Sequence, residues 1–303
     1  MAARRFVVSL ACIGLVAAGC SSTSSTRAGS APATTAPVPP ISTTVRGPVQ
    51  VLYAGSLVTL MDHHVGPAFQ AATGLTLSGV SGDSGSLAGE IKGGTQQGDV
   101  FISASPSKDQ ILEGPANGDW VGWYANFATS DLVLGYNPHS RFASQLRSSP
   151  WYDVVTRPGF LLGRTDPSTD PKGKLTVTAL ADAAAQGAPT GPLSKSTSNV
   201  FPESTLVGRL QSGQLDAGFF YAVEAASAGI PTVPLTGIAS LQAHYTVTVL
   251  NRAPHPAAAA EFVRYLLGPQ GAAELAREGL TVARPIDVSG TPPADLQAVL
   301  SGR

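Results

Sequence analysis

The chain has 303 residues, of which 43% are hydrophobic and 13% are charged, and its formal net charge is −1. It is long enough for one large domain or two lobes, and it has no basic stripe, which argues against a nucleic-acid partner. Its two cysteines, Cys12 and Cys20, both lie near the N-terminus. The rest of the chain can therefore form no disulfide, thiolate metal site or cysteine nucleophile.

The N-terminus has the pattern of an export signal. A charged start precedes the apolar run Phe6–Ala18, which is too short for an ordinary membrane span. The run ends just before Cys20 and resembles a bacterial lipoprotein signal. This resemblance implies a signal peptide at 1–19, a lipidated Cys20 and a disordered Ser/Thr/Ala/Pro-rich tether at 20–47. The protein would then be extracytoplasmic and lipid-anchored to the cell membrane. An ordinary secretory signal with an incidental cysteine is the alternative.

From Val49 onward, short apolar strands alternate with helical patterns, and this alternation predicts an α/β fold with mainly parallel sheets. The predicted strands are Val49–Tyr53, Leu77–Val80, Val100–Ser103, Leu132–Tyr136, Phe160–Arg164, Ala217–Tyr221 and Thr246–Leu250. The predicted helices are Leu57–Ala72, Leu87–Lys92, Leu175–Gln186, Thr205–Ser212 and Ala257–Leu267. In the first of them, Leu57, Met61, Val65 and Phe69 recur at four-residue spacing, which predicts one buried face.

Two strand–loop–helix units each place a serine at the start of a helix. Ser56 follows the first strand beside Gly55, and Ser84 follows the second in the stretch Gly-Asp-Ser-Gly-Ser. Helix N-termini carry unpaired N–H groups and partial positive charge, which favour bound anions. Either serine alone could be a simple helix N-cap. Because the unit occurs twice, with glycine beside each serine, it predicts a shared anion site, for which Ser86 competes with Ser84.

An ordered set of motifs resembles the molybdate- and tungstate-binding group of ABC-importer solute-binding proteins. The resemblance covers about Pro48 to Ile286. The motifs are AGSL at 54–57, SGSLAGEIKGG at 84–94, DVFISAS at 99–105, FATSDLVLGYNP at 127–138, GRTDPSTDPKG at 163–173 and LQSGQLDAGFFYAVEA at 210–225.

This resemblance implies a two-lobe, type II periplasmic-binding-protein-like fold that closes around a tetrahedral oxyanion. Lobe one would comprise 48–129 and 242–303, and lobe two 130–241. The expected partners are an ABC permease and its ATPase, and neither catalysis nor a cofactor is expected. The implied oxyanion-binding residues are Gly55, Ser56, Ser84 or Ser86, Tyr221, Lys172, Glu203 and Ser204, the last three in loops that contribute backbone N–H groups.

A group-VI oxyanion carries no proton at neutral pH and can only accept hydrogen bonds. A selective pocket should therefore present donors and keep carboxylates away from the ligand. Each hydrogen bond to a charged group contributes roughly 1.5–3 kcal/mol. Long-range attraction from Lys172 is one interpretation of that residue, and a surface ion pair with Asp166 or Asp170 is the other.

Coordination of the metal in the oxyanion depends on two further positions. By resemblance, the tungstate-type branch adds two carboxylates, and Asp170 matches the first. The second position is Phe220 here. A tetrahedral site is therefore favoured, in which Asp170 caps a loop. Asp170 would be a metal ligand only in a six-coordinate site. Molybdate and tungstate are not separable from the sequence.

Other functions stay open. The ligand could be sulfate, thiosulfate or phosphate, and Asp83 could accept a phosphate proton; a polar organic solute is a further possibility. The stretch Gly-Asp-Ser-Gly around Ser84 also resembles the nucleophile motif of trypsin-like proteases. However, His63 and His64 lie only about twenty residues upstream within a helical pattern, and the predicted α/β fold contradicts the all-β fold of those enzymes.

Overall fold

The structure, a computed structural model, describes residues 47–302. The predicted signal peptide, Cys20 and almost all of the predicted tether lie outside the described residues. Within them strands and helices alternate, so the α/β prediction is confirmed. No helix in this part of the chain is long and apolar enough to cross a membrane.

The described part contains nine strands: β1 (Val49–Ala54), β2 (Leu77–Gly82), β3 (Val100–Ser103), β4 (Trp123–Tyr136), β5 (Leu162–Gly163), β6 (Ala217–Tyr221), β7 (Thr232–Pro234), β8 (Gln242–Val249) and β9 (Thr281–Gly290). Hydrogen-bonded neighbours follow the order β2-β1-β3-β8-β4-β6-β5, and β7 and β9 also pair with β4.

Helices pack on the faces of these strands. They are α1 (Val58–Leu60), α2 (Gly66–Thr73), α3 (Ser84–Gly93), α4 (Pro106–Gln110), α5 (Ala143–Ser148), α6 (Trp151–Val155), α7 (Pro171–Ala185), α8 (Gly191–Lys195), α9 (Glu203–Gln211), α10 (Ala222–Ser227), α11 (Pro256–Leu267), α12 (Pro269–Arg277) and α13 (Gln297–Leu300). Short 3-10 turns span Gly55–Leu57, Pro115–Asn117 and Ala294–Leu296, and a π-helix spans Met61–Val65.

The prediction of mainly parallel sheets is wrong. Of the eight strand pairings in residues 47–302, five are antiparallel. Four of these five involve β4, which pairs with β6, β7, β8 and β9. The predicted strand Leu132–Tyr136 covers only the second part of β4, because Ser130 and Asp131 interrupt the apolar pattern. The strand nevertheless continues through them, since the two flanking sheet regions share it.

The first predicted helix is interrupted, although its buried face is confirmed. Leu57, Met61, Val65 and Phe69 are all at most 1% exposed. The backbone between them changes from a 3-10 turn through α1 to a π-helix and then to α2. The four-residue spacing therefore identified the buried face correctly, and Phe69 packs edge-on against Phe262 of α11 with ring centroids 5.2 Å apart.

The pairing of β1 with β2 determines where the first two loops emerge. These strands are parallel, and Ala54 at the end of β1 lies opposite Gly82 at the end of β2. Parallel strands present their carboxyl ends at one edge of a sheet, where α/β proteins bind ligands. The loops that begin at Gly55 and Asp83 therefore leave the sheet side by side.

Candidate functional site

Ser56 and Ser84 lie at the same edge of the sheet, as the repeated unit predicted. Ser56 is in the 3-10 turn after β1, and Ser84 is the first residue of α3 after β2. Both are buried, with exposures of 4% and 1%. The structure thus places two serines that are 28 positions apart in the sequence just after the ends of two paired strands.

Neither serine caps its own helix, so the N-cap interpretation is wrong for both. The Ser56 hydroxyl lies 2.9 Å from the Tyr245 hydroxyl of β8. The Ser84 hydroxyl accepts a hydrogen bond of 3.1 Å from the Ala104 N–H. Because Ser84 accepts from the backbone, its own proton stays free to donate to a ligand.

Tyr221, the last residue of β6, provides a third hydroxyl. Its side chain is fully buried, and this hydroxyl has no hydrogen-bond partner among the described residues. Its ring stacks edge-on with Tyr245 at a centroid distance of 6.0 Å. Burial raises the pKa of both phenols well above the usual value, so both keep their protons. A buried hydroxyl without a partner is costly, so this hydroxyl is available to donate to a bound group.

Lys172 supplies the positive charge of this region. It is the second residue of α7 and fully buried. Its ammonium lies 2.9 Å from the Glu203 carboxylate and 2.6 Å from the Glu224 carboxylate. Burial alone would lower the Lys172 pKa, but the two carboxylates outweigh it and raise this pKa. The alternative of a surface pair with Asp166 or Asp170 is therefore wrong, because the side chain points into the protein.

Two further carboxylates, those of Asp83 and Asp170, lie close to Glu203. Oxygen atoms of Asp83, Asp170 and Glu203 lie within 4.8 Å of one another. Glu203 also lies against the first loop, since a β-carbon at Gly55 would be 2.3 Å from Glu203 Oε2. The expectation of a pocket surrounded by donors alone is therefore not met.

Burial and the charge of Lys172 together determine how strongly these carboxyls hold their protons. Burial raises the pKa of Glu203 to about 7 and that of Asp170 to about 8, although the neighbouring ammonium of Lys172 lowers both. A carboxyl with such a pKa holds a proton part of the time near neutral pH and can then donate a hydrogen bond. The cluster therefore opposes a bound anion less than its formal charge suggests.

Asp170 has the capping role that the sequence predicted. It precedes α7, and its Oδ1 accepts a hydrogen bond of 2.8 Å from the Lys172 N–H. Its Oδ2 is buried and has no partner among the described residues. Phe220 is fully buried, with its ring 5.6 Å from Lys172 Nζ. That position thus contributes an apolar ring where a second carboxylate would be needed for six-coordination.

The remaining predicted residues lie nearer the surface. Ser86 is half-buried in the first turn of α3, and the Ser204 side chain is exposed on α9 although the adjacent Glu203 is buried. Tyr245 and Glu224 were not among the site residues predicted from the sequence. Glu224 follows Tyr221 by three positions, at a capping-box position of α10. Tyr245 carried no local signal, since its partner Ser56 is 189 positions away.

The serine hydrolase alternative needs His63 or His64 as a base, but one of them pairs with another residue and the other is exposed to solvent. His64 Nδ1 lies 3.4 Å from a Glu278 carboxylate oxygen, and His63 is exposed. Within residues 47–302, no histidine forms a hydrogen bond with Ser84. The geometry therefore lacks the nucleophile–base pair that a serine hydrolase requires.

Similarity to solved structures defines the class of the fold. The molybdate-binding protein of Azotobacter vinelandii superposes with a TM-score of 0.64, covering 78% of this chain and all of that one at 19% identity. The sulfate-binding protein SubI of Mycobacterium tuberculosis gives a TM-score of 0.60 at 16% identity, covering 79% and 88% of the two chains. The fold is that of two-lobe, type II periplasmic binding proteins.

The chain belongs to the family of bacterial extracellular solute-binding proteins, whose model matches residues 49–281. A putative ABC transporter molybdenum-binding protein of Haloferax volcanii is 29% identical over 64% of this chain and 61% of its own length. The molybdate/tungstate-binding protein WtpA of Thermococcus kodakarensis is 24% identical over 50% and 58%. The chain thus spans about three-fifths of each of these two relatives. Proteins of this family bind a solute outside the cytoplasm and use no cofactor.

Proposed function

We propose that this protein captures a tetrahedral oxyanion, molybdate or tungstate, and delivers it to an ABC permease with its ATPase. The observation that carries the proposal is the Tyr221 hydroxyl, which is buried and has no hydrogen-bond partner within residues 47–302. It is connected through the Tyr245 ring to Ser56. The names of the molybdenum- and tungstate-binding relatives support the choice of ligand.

In this proposal the protein binds and performs no chemistry. The hydroxyls of Ser56, Ser84 and Tyr221 donate to the oxyanion, and Lys172 offsets its charge together with the N-terminus of α3. Backbone contacts already join residues of the two predicted lobes: the Gly85 N–H donates to the Thr169 carbonyl at 2.8 Å. Closure of the two lobes over the ligand would present the closed form to the permease.

The lobe limits of 48–129 with 242–303 and of 130–241 are part of this proposal. So are the signal peptide at 1–19 and the lipid on Cys20, which would anchor the protein to the membrane. Replacing Cys20→Ala should release the protein from the membrane fraction into the medium. Retention of the variant on the membrane would contradict a lipid anchor at this residue.

Calorimetry of the purified protein with molybdate, tungstate, sulfate and phosphate tests the ligand. Binding of molybdate or tungstate supports the proposal, whereas binding of sulfate or phosphate alone would overturn it. The sulfate alternative is favoured by the similarity to SubI, and the phosphate alternative by Asp83, whose pKa is raised by burial.

A matched pair of serines tests the site. Ser84→Ala should weaken anion affinity roughly ten- to hundredfold, since one hydrogen bond to a charged group contributes about 1.5–3 kcal/mol. Ser86→Ala, in the same helical turn but only half-buried, should change it little. An effect of Ser86→Ala alone would show that the second loop binds the anion through Ser86. Equal effects would show that it uses both serines, and either result would contradict the assignment of Ser84.

A further inference from the structure

A cavity adjoins the buried cluster. Its volume is about 220 Å³, and it opens between the β3–α4 loop and strand β8 on one side and the start of α7 on the other. Its lining includes Ala104, whose N–H binds Ser84, and Asp170, which belongs to the acidic cluster. We call this space the mouth cavity. The cavity therefore borders the hydrogen-bond partner of Ser84 and one carboxylate of the buried cluster.

Three of the five lysines of the chain lie in or behind the mouth cavity. The whole sequence has five, at positions 92, 108, 172, 174 and 195. Lys108 and Lys174 line the cavity, and Lys172 lies buried behind it. Within residues 47–302, neither Lys108 nor Lys174 takes part in an ion pair. A β-carbon at Gly85 would be 3.2 Å from Lys108 Nζ, which places this ammonium beside the first turn of α3.

These lysines offset a repulsion that the buried site would otherwise exert. Four carboxylates, those of Asp83, Asp170, Glu203 and Glu224, surround one buried ammonium. A dianion approaching from solvent therefore meets a region of negative potential before it reaches the hydroxyl donors. Positive charges at the entrance of a cleft reverse that field at long range and raise the association rate by about 10–1000-fold.

We propose that the mouth cavity is the entrance for the oxyanion and that Lys108 and Lys174 are steering residues that accelerate its association. This inference rests on the proposed function, because it assumes an anionic ligand. Both lysines lie at the entrance, whereas the hydroxyls that hold the bound ligand lie deeper. The pair should therefore control the association rate constant and leave the dissociation rate constant nearly unchanged.

The test is stopped-flow tryptophan fluorescence with sodium molybdate at several ionic strengths. The double variant Lys108→Ala/Lys174→Ala should associate roughly tenfold more slowly than the wild type at low salt. The difference should shrink as salt rises, because exposed charges are screened beyond about 10 Å at 0.1 M. The variant Lys108→Arg/Lys174→Arg, which keeps both charges, should associate at the wild-type rate.

Lys195→Ala is the matched control, since Lys195 is an exposed lysine on α8 that does not line the cavity. Equal association rates in wild type and the double alanine variant, with molybdate bound by both, would overturn the steering role alone. A loss in the double variant that appears only in the dissociation rate would overturn it too. Failure of the wild type to bind any of the four anions by calorimetry would overturn the proposed function and this inference together.

Discussion

Tyr221 and Tyr245 are both fully buried, but only Tyr245 has a hydrogen-bond partner among the described residues. Removing the Tyr221 hydroxyl in Tyr221→Phe should therefore leave the free energy of unfolding unchanged or raise it, since a buried unsatisfied group is lost. The same change should weaken anion binding about tenfold.

Tyr245→Phe is the contrasting variant. It removes the partner of the buried Ser56 hydroxyl and should lower the free energy of unfolding by about 1 kcal/mol. Urea unfolding and calorimetry of both variants separate the two roles. A larger loss of stability in Tyr221→Phe than in Tyr245→Phe would show that the Tyr221 hydroxyl serves the fold rather than the ligand.

Lys172 is the residue on which the buried charges depend most. Lys172→Met would leave Glu203 and Glu224 buried without their ammonium partner. We expect a loss of about 3–5 kcal/mol in the free energy of unfolding, as for other broken buried pairs. The triple variant with Glu203→Gln and Glu224→Gln should recover most of it. Urea unfolding that shows no loss in Lys172→Met would contradict this assignment.

The sequence predicted part of this site for a clear physical reason. Gly55-Ser56 and Asp83-Ser84 stand out locally because small residues end an apolar strand and begin a helix. The cluster around Lys172 could not be found in that way. Its partners Glu203 and Glu224 are 31 and 52 positions away, and an exposed lysine has the same local pattern as a buried one.

At the scale of the element, the start of α3 must come close to the loop before α7. A β-carbon at Gly85 would be 2.2 Å from the Thr169 carbonyl oxygen, whereas Gly89 of the same helix has open space around it. Gly85→Ala should therefore force this loop away and weaken anion binding tenfold or more. Gly89→Ala should keep wild-type affinity and gain up to about 1 kcal/mol of stability. Calorimetry distinguishes them, and equal affinities would show that this approach is not needed for binding.

Strands whose apolar pattern begins and ends within a few residues were predicted best. The bounds of β3 and β6 agree with the sequence analysis residue for residue, because each is a short apolar run that ends abruptly. The first turns of α3 and α7 were missed, since Gly, Ser and Pro there obscure the helical pattern. Strand β9, Thr281–Gly290, was missed because its residues are largely exposed and lack a regular alternation.

At the scale of the whole molecule, a small net charge conceals an uneven distribution. The chain has 19 basic and 20 acidic residues, yet four carboxylates gather around one buried lysine near the proposed oxyanion. Bringing a dianion into such a place is favourable only if the surrounding carboxyls hold protons or if cations compensate them. The raised pKa values of Glu203 and Asp170 provide the first of these conditions.

The affinity for molybdate should therefore depend on pH with a definite sign. The pKa of Glu203 is raised to about 7 in the ligand-free protein, and a nearby dianion would raise it further. The liganded form then binds more protons, so affinity is highest below pH 7 and falls as pH rises through and above it. Groups facing Glu203 that titrate or carry charge are Asp83, Asp170, Lys172 and Glu224.

Calorimetry of the wild type at pH 6 and pH 9 should show about tenfold weaker binding at the higher pH, one unit of pKa being equivalent to a factor of ten. Glu203→Gln keeps the shape of the side chain but cannot ionise. It should reduce the difference between the two pH values, with Asp170 accounting for the remainder, and should keep its affinity better at pH 9. A wild-type affinity that is the same at pH 6 and pH 9 would contradict this prediction, since it would mean that the carboxyls stay ionised beside the anion and that Lys172 alone compensates its charge.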